Sequence, residues 1–265
     1  MSKESNDSGT DPTQTRNKFI HHFRERMKHH RAIFLSDIHL GSKAFQAEKL
    51  MRFLKENHAD NLYLVGDIID IWRMKVSGVY FPQLHVNILR MLMGKASKGT
   101  KIFYLPGNHD ELVRDFIPND FGNFTFANEV EYETADKQKL LVIHGDQLDL
   151  YINALNNPVF RQIIDWMYAG IIWANRLTRP MFKRQPMSER VIGKLRQVKQ
   201  YFFRFEQVAT NFAKEKGYDG VICGHIHFPK INGENGFKYI NCGDWIDNCT
   251  AIVEDFEGNL ELVRV

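Results

Sequence analysis

Five short polar segments contain the residue types that bind divalent metal ions. Each follows a short run of β-branched or aromatic residues, and in chain order they read Asp37-Ile38-His39, Gly66-Asp67, Gly107-Asn108-His109-Asp110, His144-Gly145-Asp146 and Gly224-His225-Ile226-His227. Histidine nitrogens and carboxylate oxygens suit Mn²⁺, Fe or Zn²⁺, and the lack of cysteine thiolates among them argues against a structural zinc site. The seven candidate ligands are Asp37, His39, Asp67, Asn108, His144, His225 and His227.

The spacing of these residues favours shared coordination. Residues two apart in an extended chain point to the same side, so Asp37 and His39 can bind one ion together. The same geometry applies to His225 and His227. Seven ligands are too many for one ion and suit two, and we expect Asp67 to bridge them because a carboxylate can share its oxygens between two metals.

The elements that must position these segments alternate along the chain. Strands separated by helices indicate an α/β fold, in which ligands are held beyond the carboxyl ends of the strands. We predict strands at Ala32–Leu35, Leu62–Val65, Ile102–Leu105, Leu140–Ile143, Gly220–Cys223, Tyr239–Cys242, Ala251–Val253 and Leu260–Val263. Helical patterns fall at about 43–57, 81–97, 150–175 and 188–216.

Composition and charge favour a soluble globular protein. The 265 residues are 43% hydrophobic and 25% charged, and the net charge of +3 is too small to indicate a nucleic-acid-binding protein. Three unclustered cysteines favour a reducing compartment. The N-terminus lacks the apolar stretch of a signal peptide, and no apolar run is long enough to span a bilayer. We therefore expect a cytoplasmic protein without a nucleic-acid partner.

In their order, the five segments resemble the calcineurin-like metallophosphoesterase superfamily, whose pattern runs D-x-H, G-D, G-N-H-[DE], H-G and G-H-x-H. The resemblance implies a four-layer α/β/β/α sandwich with a dinuclear metal site. It also implies that one metal is held by Asp37, His39, Asp67 and His227 and the other by Asp67, Asn108, His144 and His225.

Within that superfamily, the chain most resembles the UDP-2,3-diacylglucosamine diphosphatases of lipid A biosynthesis. The stretches that carry this resemblance are FLSDIHLG, LYLVGDIIDIW, PGNHDE and LVIHGDQLD, together with a long helical insertion before GHIH. It implies a hydrolase, usually with Mn²⁺, that cleaves the pyrophosphate of a lipid-linked nucleotide at the cytoplasmic face of the inner membrane. It also implies that the insertion, about 150–200, is a helical cap that shelters acyl chains together with Trp72.

One position departs from that subfamily. Its best-known members carry Arg where this chain has His109, which is the residue found in general phosphodiesterases of the superfamily. The alternative is therefore a phosphodiesterase of soluble nucleotides, nucleic acid or phosphoproteins. A binding protein that keeps the fold without catalysis is a third hypothesis, although such proteins typically lose ligands and all seven positions are filled here.

We expect hydrolysis by in-line attack on phosphorus, with a hydroxide that bridges the two ions as the nucleophile. His109 would donate a proton to the leaving oxygen or stabilise the transferring phosphoryl group. Asp110 would orient the His109 ring through its second nitrogen.

The insertion also contains candidate substrate contacts. Its apolar residues, among them Trp166 and Trp173, form either buried core or a surface for acyl chains. The basic residues that follow, among them Arg176 and Arg179, form either a solvated loop or a contact with anionic head groups of a membrane.

The N-terminal residues are the last distinct region. Residues 1–17 are polar, and we expect a disordered tail before a domain that spans 18–265. From Lys18 to Arg31 the chain is basic, with apolar residues on one side of a helical projection. This segment either packs on the domain or lies on an anionic membrane surface.

Overall fold

The computed structural model describes residues 27–150, 196–234 and 236–265. Short 3₁₀ helices at Glu111–Phe116 and Asp146–Leu150 follow two of the strands. The remaining elements, in chain order, are β1 (Lys28–Leu35), α1 (Ala47–Glu56), β2 (Asn57–Val65), α2 (Ile71–Ser77), α3 (Gln83–Ser97), β3 (Lys101–Leu105), β4 (Asn119–Phe121), β5 (Phe124–Phe126), β6 (Glu129–Glu133), β7 (Lys139–Ile143), α4 (Arg196–Glu215), β8 (Gly220–Cys223), β9 (Lys230–Glu234), β10 (Phe237–Asn241), β11 (Thr250–Glu254) and β12 (Leu260–Arg264).

The strands form two sheets with parallel centres. The larger sheet has the order β12-β11-β1-β2-β3-β5-β4, and β1, β2, β3 and β5 run parallel within it. The smaller sheet has the order β6-β7-β8-β10-β9, and its β7, β8 and β10 are parallel. Parallel neighbours place their carboxyl ends at one edge, which is where the polar segments begin.

Alternation along the strands divides the core into layers. In β1, Phe34 packs in the core between the two sheets, whereas its neighbour Leu35 packs with α1 and α3 on the outer face. In β7, Val142 lies between the sheets and Leu141 packs against α4. Because each sheet buries one face on the other sheet and its opposite face on helices, the architecture is the α/β/β/α sandwich that the resemblance implies.

The predicted elements overlap the observed ones wherever the structure describes them. All eight predicted strands are present, and α1, α3 and α4 lie within three of the predicted helical stretches. Helix α2 was not predicted, because none of its residues is buried and it therefore shows no apolar period. Strands β4, β5, β6 and β9 were also missed. In β6 glutamates alternate with Val130 and Tyr132, which is the pattern of a half-buried strand, but the segment is not the continuous β-branched or aromatic run on which the strand predictions relied.

Some predictions concern residues at or beyond the limits of the described chain. The helical prediction from Lys18 to Arg31 is wrong at its end, because Lys28–Arg31 belong to β1, in which Lys28, His29 and His30 pair with β2. Residues 1–26 and 151–195 lie outside the described residues, and with them the proposed tail, most of the proposed cap and Trp166, Trp173, Arg176 and Arg179. In the part of the chain that is described, no helix combines the length and apolarity needed to cross a membrane.

Candidate metal centre

The five polar segments converge at the carboxyl edge of the two sheets. Asp37 follows β1, and its backbone N–H donates to the Gly66 carbonyl at 3.0 Å in the loop after β2. Its Oδ2 accepts a hydrogen bond from the His225 backbone N–H at 3.0 Å, although His225 follows β8 of the other sheet. The loop ends of both sheets are therefore fixed to each other at this edge.

The candidate ligand atoms lie close together. His227 Nε2 is 3.1 Å from Asp37 Oδ1, and His144 Nε2 is 3.5 Å from Asp67 Oδ2. His39 Nε2 lies 3.9 Å from each of these two carboxylate oxygens. Two groups, Asp37–His39–His227 and Asp37–Asp67–His144, have candidate ligand atoms that all fall within 4.8 Å of one another.

Asn108 and His225 complete the set of predicted residues at this edge. Asn108 precedes His109, whose backbone N–H donates to Asp67 Oδ1 at 2.8 Å. The His225 ring lies 5.2 Å from the His144 ring, measured between centroids. All seven predicted ligands therefore belong to one cluster of loops.

Several buried polar atoms of this cluster have no hydrogen-bond partner among the described residues: Asp37 Oδ1, His39 Nδ1, His39 Nε2, Asn108 Oδ1 and His144 Nε2. Leaving a buried polar group unpaired costs about 1–3 kcal/mol, so such atoms are uncommon in a folded protein. Carboxylate and amide oxygens and imidazole nitrogens are the donors that divalent cations bind. The residues present therefore fit the metal ions that the motif pattern implies.

The backbone at the cluster is strained. Seven residues other than glycine have a positive φ in the described chain, and five of them are predicted ligands with φ between 52° and 68°: Asp37, His39, Asp67, His225 and His227. A left-handed conformation is unfavourable for residues with a side chain, and such residues concentrate at functional sites. The surrounding loops hold these side chains in place against that local cost.

Two glycines allow the loops to approach this closely. A Cβ atom on Gly107 would lie 2.2 Å from Asp67 Oδ1, and one on Gly66 would lie 2.1 Å from His144 Nδ1. Both distances are far inside van der Waals contact. The Gly-Asp and Gly-Asn pairs of the sequence are therefore required sterically, because any side chain at either glycine would displace a candidate ligand.

Opposite charges stabilise each other within the cluster. Burial opposes the charged form of Asp37, but the adjacent His227 outweighs it and lowers the pKa of the Asp37 carboxyl to about 2. Burial and Asp67 compete in the same way at His144, and Asp67 raises the pKa of that imidazole well above its ordinary value. Asp37 raises the pKa of His227 to about 9, again against burial. Bound cations would replace these protons, because metal ligands must be deprotonated.

Asp110 does not orient His109, which corrects the expectation from the sequence. Its buried carboxylate accepts hydrogen bonds from the Gly107 backbone N–H at 2.6 Å, the Ile68 backbone N–H at 2.9 Å and the Tyr104 hydroxyl at 2.6 Å. These donors fix the loops after β2 and β3 to each other. The carboxylate is therefore engaged by the backbone and by Tyr104, and a different residue contacts the His109 ring.

The residue that contacts the ring is Asp70. Its Oδ1 lies 2.8 Å from His109 Nδ1, and its Oδ2 lies 3.6 Å from His39 Nδ1. Burial opposes the imidazolium form of His109, but the hydrogen bond that the ring donates to Asp70 and the charges of Asp67 and Asp70 raise its pKa above the ordinary value. The sequence signal was the second aspartate of Gly66-Asp67-Ile68-Ile69-Asp70, which sequence analysis did not single out.

Trp72 lies beside His109 at the rim of the site. Its backbone N–H donates to the His109 carbonyl at 3.0 Å. Its ring centroid is 5.5 Å from the His109 ring, and 56% of the residue is exposed. An exposed indole beside the cluster is available for contact with a substrate.

A cavity of about 620 Å³ opens beside the loop that follows His39. The Ser42 backbone N–H donates to the His39 carbonyl at 2.9 Å, and Ser42 is one of the lining residues. Lys43 and Tyr80 also line it, with Lys43 Nζ 5.5 Å from the Tyr80 ring centroid. Its volume is in the range of ligand pockets, but none of the residues that line it is a candidate metal ligand.

The chain is similar in sequence to known proteins over most of its length. One relative, named UDP-2,3-diacylglucosamine hydrolase, is from Neisseria meningitidis serogroup B (strain ATCC BAA-335 / MC58) and is 27% identical over 84% of this chain and 92% of its own length. A second protein of the same name, from Haemophilus influenzae (strain PittGG), is 24% identical over 90% of this chain and 100% of its own length. A solved structure of a hypothetical protein from Pyrococcus horikoshii OT3 covers 90% of this chain and 88% of its own, with a TM-score of 0.47 and 12% identity. The family model of the calcineurin-like phosphoesterases matches residues 30–229, a range that contains all five polar segments, and the chain therefore belongs to the calcineurin-like phosphoesterase family.

Proposed function

We propose that this metallophosphoesterase hydrolyses the pyrophosphate bond of UDP-2,3-diacylglucosamine or of a similar lipid-linked nucleotide. The observation that carries the proposal is the buried group of Asp37, Asp67 and His144, whose candidate ligand atoms lie within 4.8 Å of one another. Family membership supports hydrolysis of a phosphodiester or pyrophosphate bond. The relatives named UDP-2,3-diacylglucosamine hydrolase, which align over most of the chain, support this substrate class.

Seven residues would hold two divalent cations, for which we propose Mn²⁺, with Fe and Zn²⁺ as alternatives. Asp67 would belong to both sets, and its Oδ2 lies 3.9 Å from His39 Nε2 of one set and 3.5 Å from His144 Nε2 of the other. When bound, such a pair of cations supplies a nucleophilic water at neutral pH and neutralises charge on the phosphoryl group. The two sets are Asp37, His39, Asp67 and His227, and Asp67, Asn108, His144 and His225.

His109 would act as the proton donor to the leaving oxygen. Its Nδ1 is engaged by Asp70 at 2.8 Å, whereas its Nε2 faces the cluster at 4.0 Å from Asp67 Oδ2. Asp70 thus fixes the ring and favours its protonated form, and Nε2 carries the proton that is transferred. A positioned acid of this kind contributes roughly 10²–10⁴ in rate. Asp110 would act only indirectly, by holding the loops that carry Asp67 and His109.

The surface next to His109 supports a lipid-linked substrate at a membrane. Trp72 and Val76 of α2 are 56% and 68% exposed, and Arg73 and Lys75 of the same helix are exposed as well. Apolar side chains beside cationic ones suit acyl chains with anionic head groups. We propose peripheral contact with the cytoplasmic face of the inner membrane, with the insertion of about 150–200 as a helical cap that contributes Trp166, Trp173, Arg176 and Arg179.

A phosphodiesterase of soluble substrates is the second candidate. The observation that favours it is His109 in the position where the best-known diacylglucosamine enzymes carry Arg. A histidine held by Asp70 donates a proton to any alkoxide or phosphate leaving group, so its chemistry does not require a lipid.

The test compares lipid-linked and soluble substrates on the Mn²⁺-loaded protein. We expect UMP to be released from UDP-2,3-diacylglucosamine in detergent, with little turnover of cyclic nucleotides, dinucleotides or phosphopeptides. Asp67→Asn should abolish the activity. The matched control is Asp60→Asn, which removes an exposed carboxylate 2.8 Å from His29 outside the cluster and should retain it. Equal or faster turnover of the soluble diesters would instead establish the second candidate.

A further inference from the structure

The histidines of the cluster differ in which ring nitrogen faces a supporting group of the protein. His144 Nδ1 lies 2.9 Å from the Val65 carbonyl oxygen, and His39 Nδ1 faces Asp70 Oδ2 at 3.6 Å, beyond hydrogen-bond distance. His227 Nδ1 lies 3.8 Å from Asp244 Oδ2. In all three rings, Nε2 is the nitrogen that lies toward Asp37 or Asp67, at 3.1 to 3.9 Å from the nearer carboxylate oxygen.

His225 has the opposite arrangement. Its Nε2 lies 3.1 Å from both carboxylate oxygens of Asp149, a residue that the motif pattern does not include. An ionised carboxylate only accepts hydrogen bonds, so Nε2 must carry the hydrogen. The neutral ring then has its lone pair on Nδ1, and this is the nitrogen that His225 can offer to a metal ion.

The fold holds Asp149 firmly in this position. It lies in the 3₁₀ helix Asp146–Leu150, where its neighbour Leu148 is fully buried and packs in the core beneath α4. The Leu148 backbone N–H donates to the Gly145 carbonyl at 3.0 Å, which closes the turn. The Phe205 ring centroid lies 6.0 Å from that of His225. The imidazole therefore contacts a fixed carboxylate and lies near a core aromatic ring.

We propose that Asp149 is a positioning residue that selects the Nδ1-ligating tautomer of His225 and thereby sets the affinity of one of the two metal sites. A hydrogen bond from the second nitrogen of a ligating histidine fixes the ring and raises its basicity, and its loss typically costs 10–100-fold in metal affinity. This inference rests on the proposed dinuclear function. It adds that the two sites depend on different supporting carboxylates.

Calorimetric titration of Mn²⁺ into the metal-free full-length protein tests the proposal. We expect two ions to bind the parental chain and the Asp60→Asn control alike. Asp149→Ala should retain one site at parental affinity and bind the second ion roughly 10–100-fold more weakly. Asp149→Asn keeps an oxygen that accepts the Nε2 hydrogen but loses the charge, so it should recover part of the lost affinity.

Thermal unfolding of the metal-free variants separates positioning from a purely structural role. If Asp149→Ala lowers the Tm but binds both ions with parental affinity, Asp149 does not position His225 and the inference is overturned. The inference is also overturned if the affinities of both sites fall together. If Asp149→Ala does not fold, Asp149→Asn provides the test, and parental affinity at both sites of that variant would overturn the inference as well. If the parental chain itself binds fewer than two ions, the proposed dinuclear site fails first, and that result is seen before any variant is compared.

Discussion

Two buried polar regions of this protein contrast in how their charged groups are paired. In the inter-sheet network (Arg31, Tyr132 and Glu254), Arg31 donates to the Tyr132 hydroxyl at 2.6 Å and to Glu254 Oε2 at 2.7 Å, and the Tyr132 hydroxyl donates to Glu254. The other oxygen, Glu254 Oε1, accepts from the Ala135 backbone N–H at 2.9 Å. In the metal cluster, by contrast, Asp37 Oδ1 and His144 Nε2 have no such partner in the described chain.

The contrast shows that pairing, rather than burial or charge, separates the two roles. Both regions bury carboxylates completely, since Glu254 and Asp37 are each 0% exposed. In the network, each oxygen of Glu254 accepts a hydrogen bond, and the group links β1 and β11 of one sheet to β6 of the other. In the cluster, several buried candidate ligand atoms lack a hydrogen-bond partner among the described residues and lie on a strained backbone, an arrangement that a bound cation would satisfy.

The largest expected effect is that of Asp67→Asn on the metal cluster. We expect it to abolish activity and to weaken binding of both ions, because this carboxylate lies between His39 and His144, which belong to different sets. Elemental analysis of the purified variant measures the metal content directly. Two retained ions per chain would contradict the bridging role of Asp67.

His109→Ala has the next largest effect, and it should not change the metal content. Removing the proton donor lowers kcat by roughly 10²–10⁴ while both ions stay bound, because His109 is in neither ligand set.

Asp70 acts through the His109 ring, which it contacts at 2.8 Å. Asp70→Asn should therefore lower the kcat of the parental enzyme but lower the kcat of the His109→Ala variant little further. Rates of the two single variants and the double variant measure this coupling. Full additivity of the two losses would show that Asp70 acts elsewhere.

The sequence predicted the cluster better than its supporting contacts. Strands β1, β2, β3, β7 and β8 are short buried runs that end at a motif, so their carboxyl ends placed the candidate ligands correctly at one edge. Which carboxylate reaches a given ring depends on three-dimensional competition. Asp110 is next to His109 in the chain, but the Gly107 N–H and the Tyr104 hydroxyl engage it, and Asp70 is left to contact the ring.

The network was missed for a related reason. Arg31 and Glu254 are 223 positions apart in the chain, and Tyr132 lies in β6, which was not predicted because it is not a continuous apolar run. No motif connects such residues, since their only shared property is the place where the two sheets meet. Local sequence patterns can therefore predict a site whose residues each follow a strand in a recognisable motif. A contact between residues of distant strands can be identified only in the folded structure.

Glu254→Gln addresses the other half of the comparison and has the smallest expected effect. An amide keeps one acceptor but removes the charge that balances Arg31, so we expect the free energy of unfolding to fall by about 1–3 kcal/mol. Because the network contacts none of the candidate ligands in the described residues, Mn²⁺ affinity and kcat should stay at the parental values. Denaturant unfolding of the metal-free protein, with calorimetry on the same sample, measures both quantities, and Tyr132→Phe provides a matched variant that keeps the charge pair. A loss of metal affinity in Glu254→Gln at unchanged stability would show that the two regions are coupled and that pairing alone does not distinguish them.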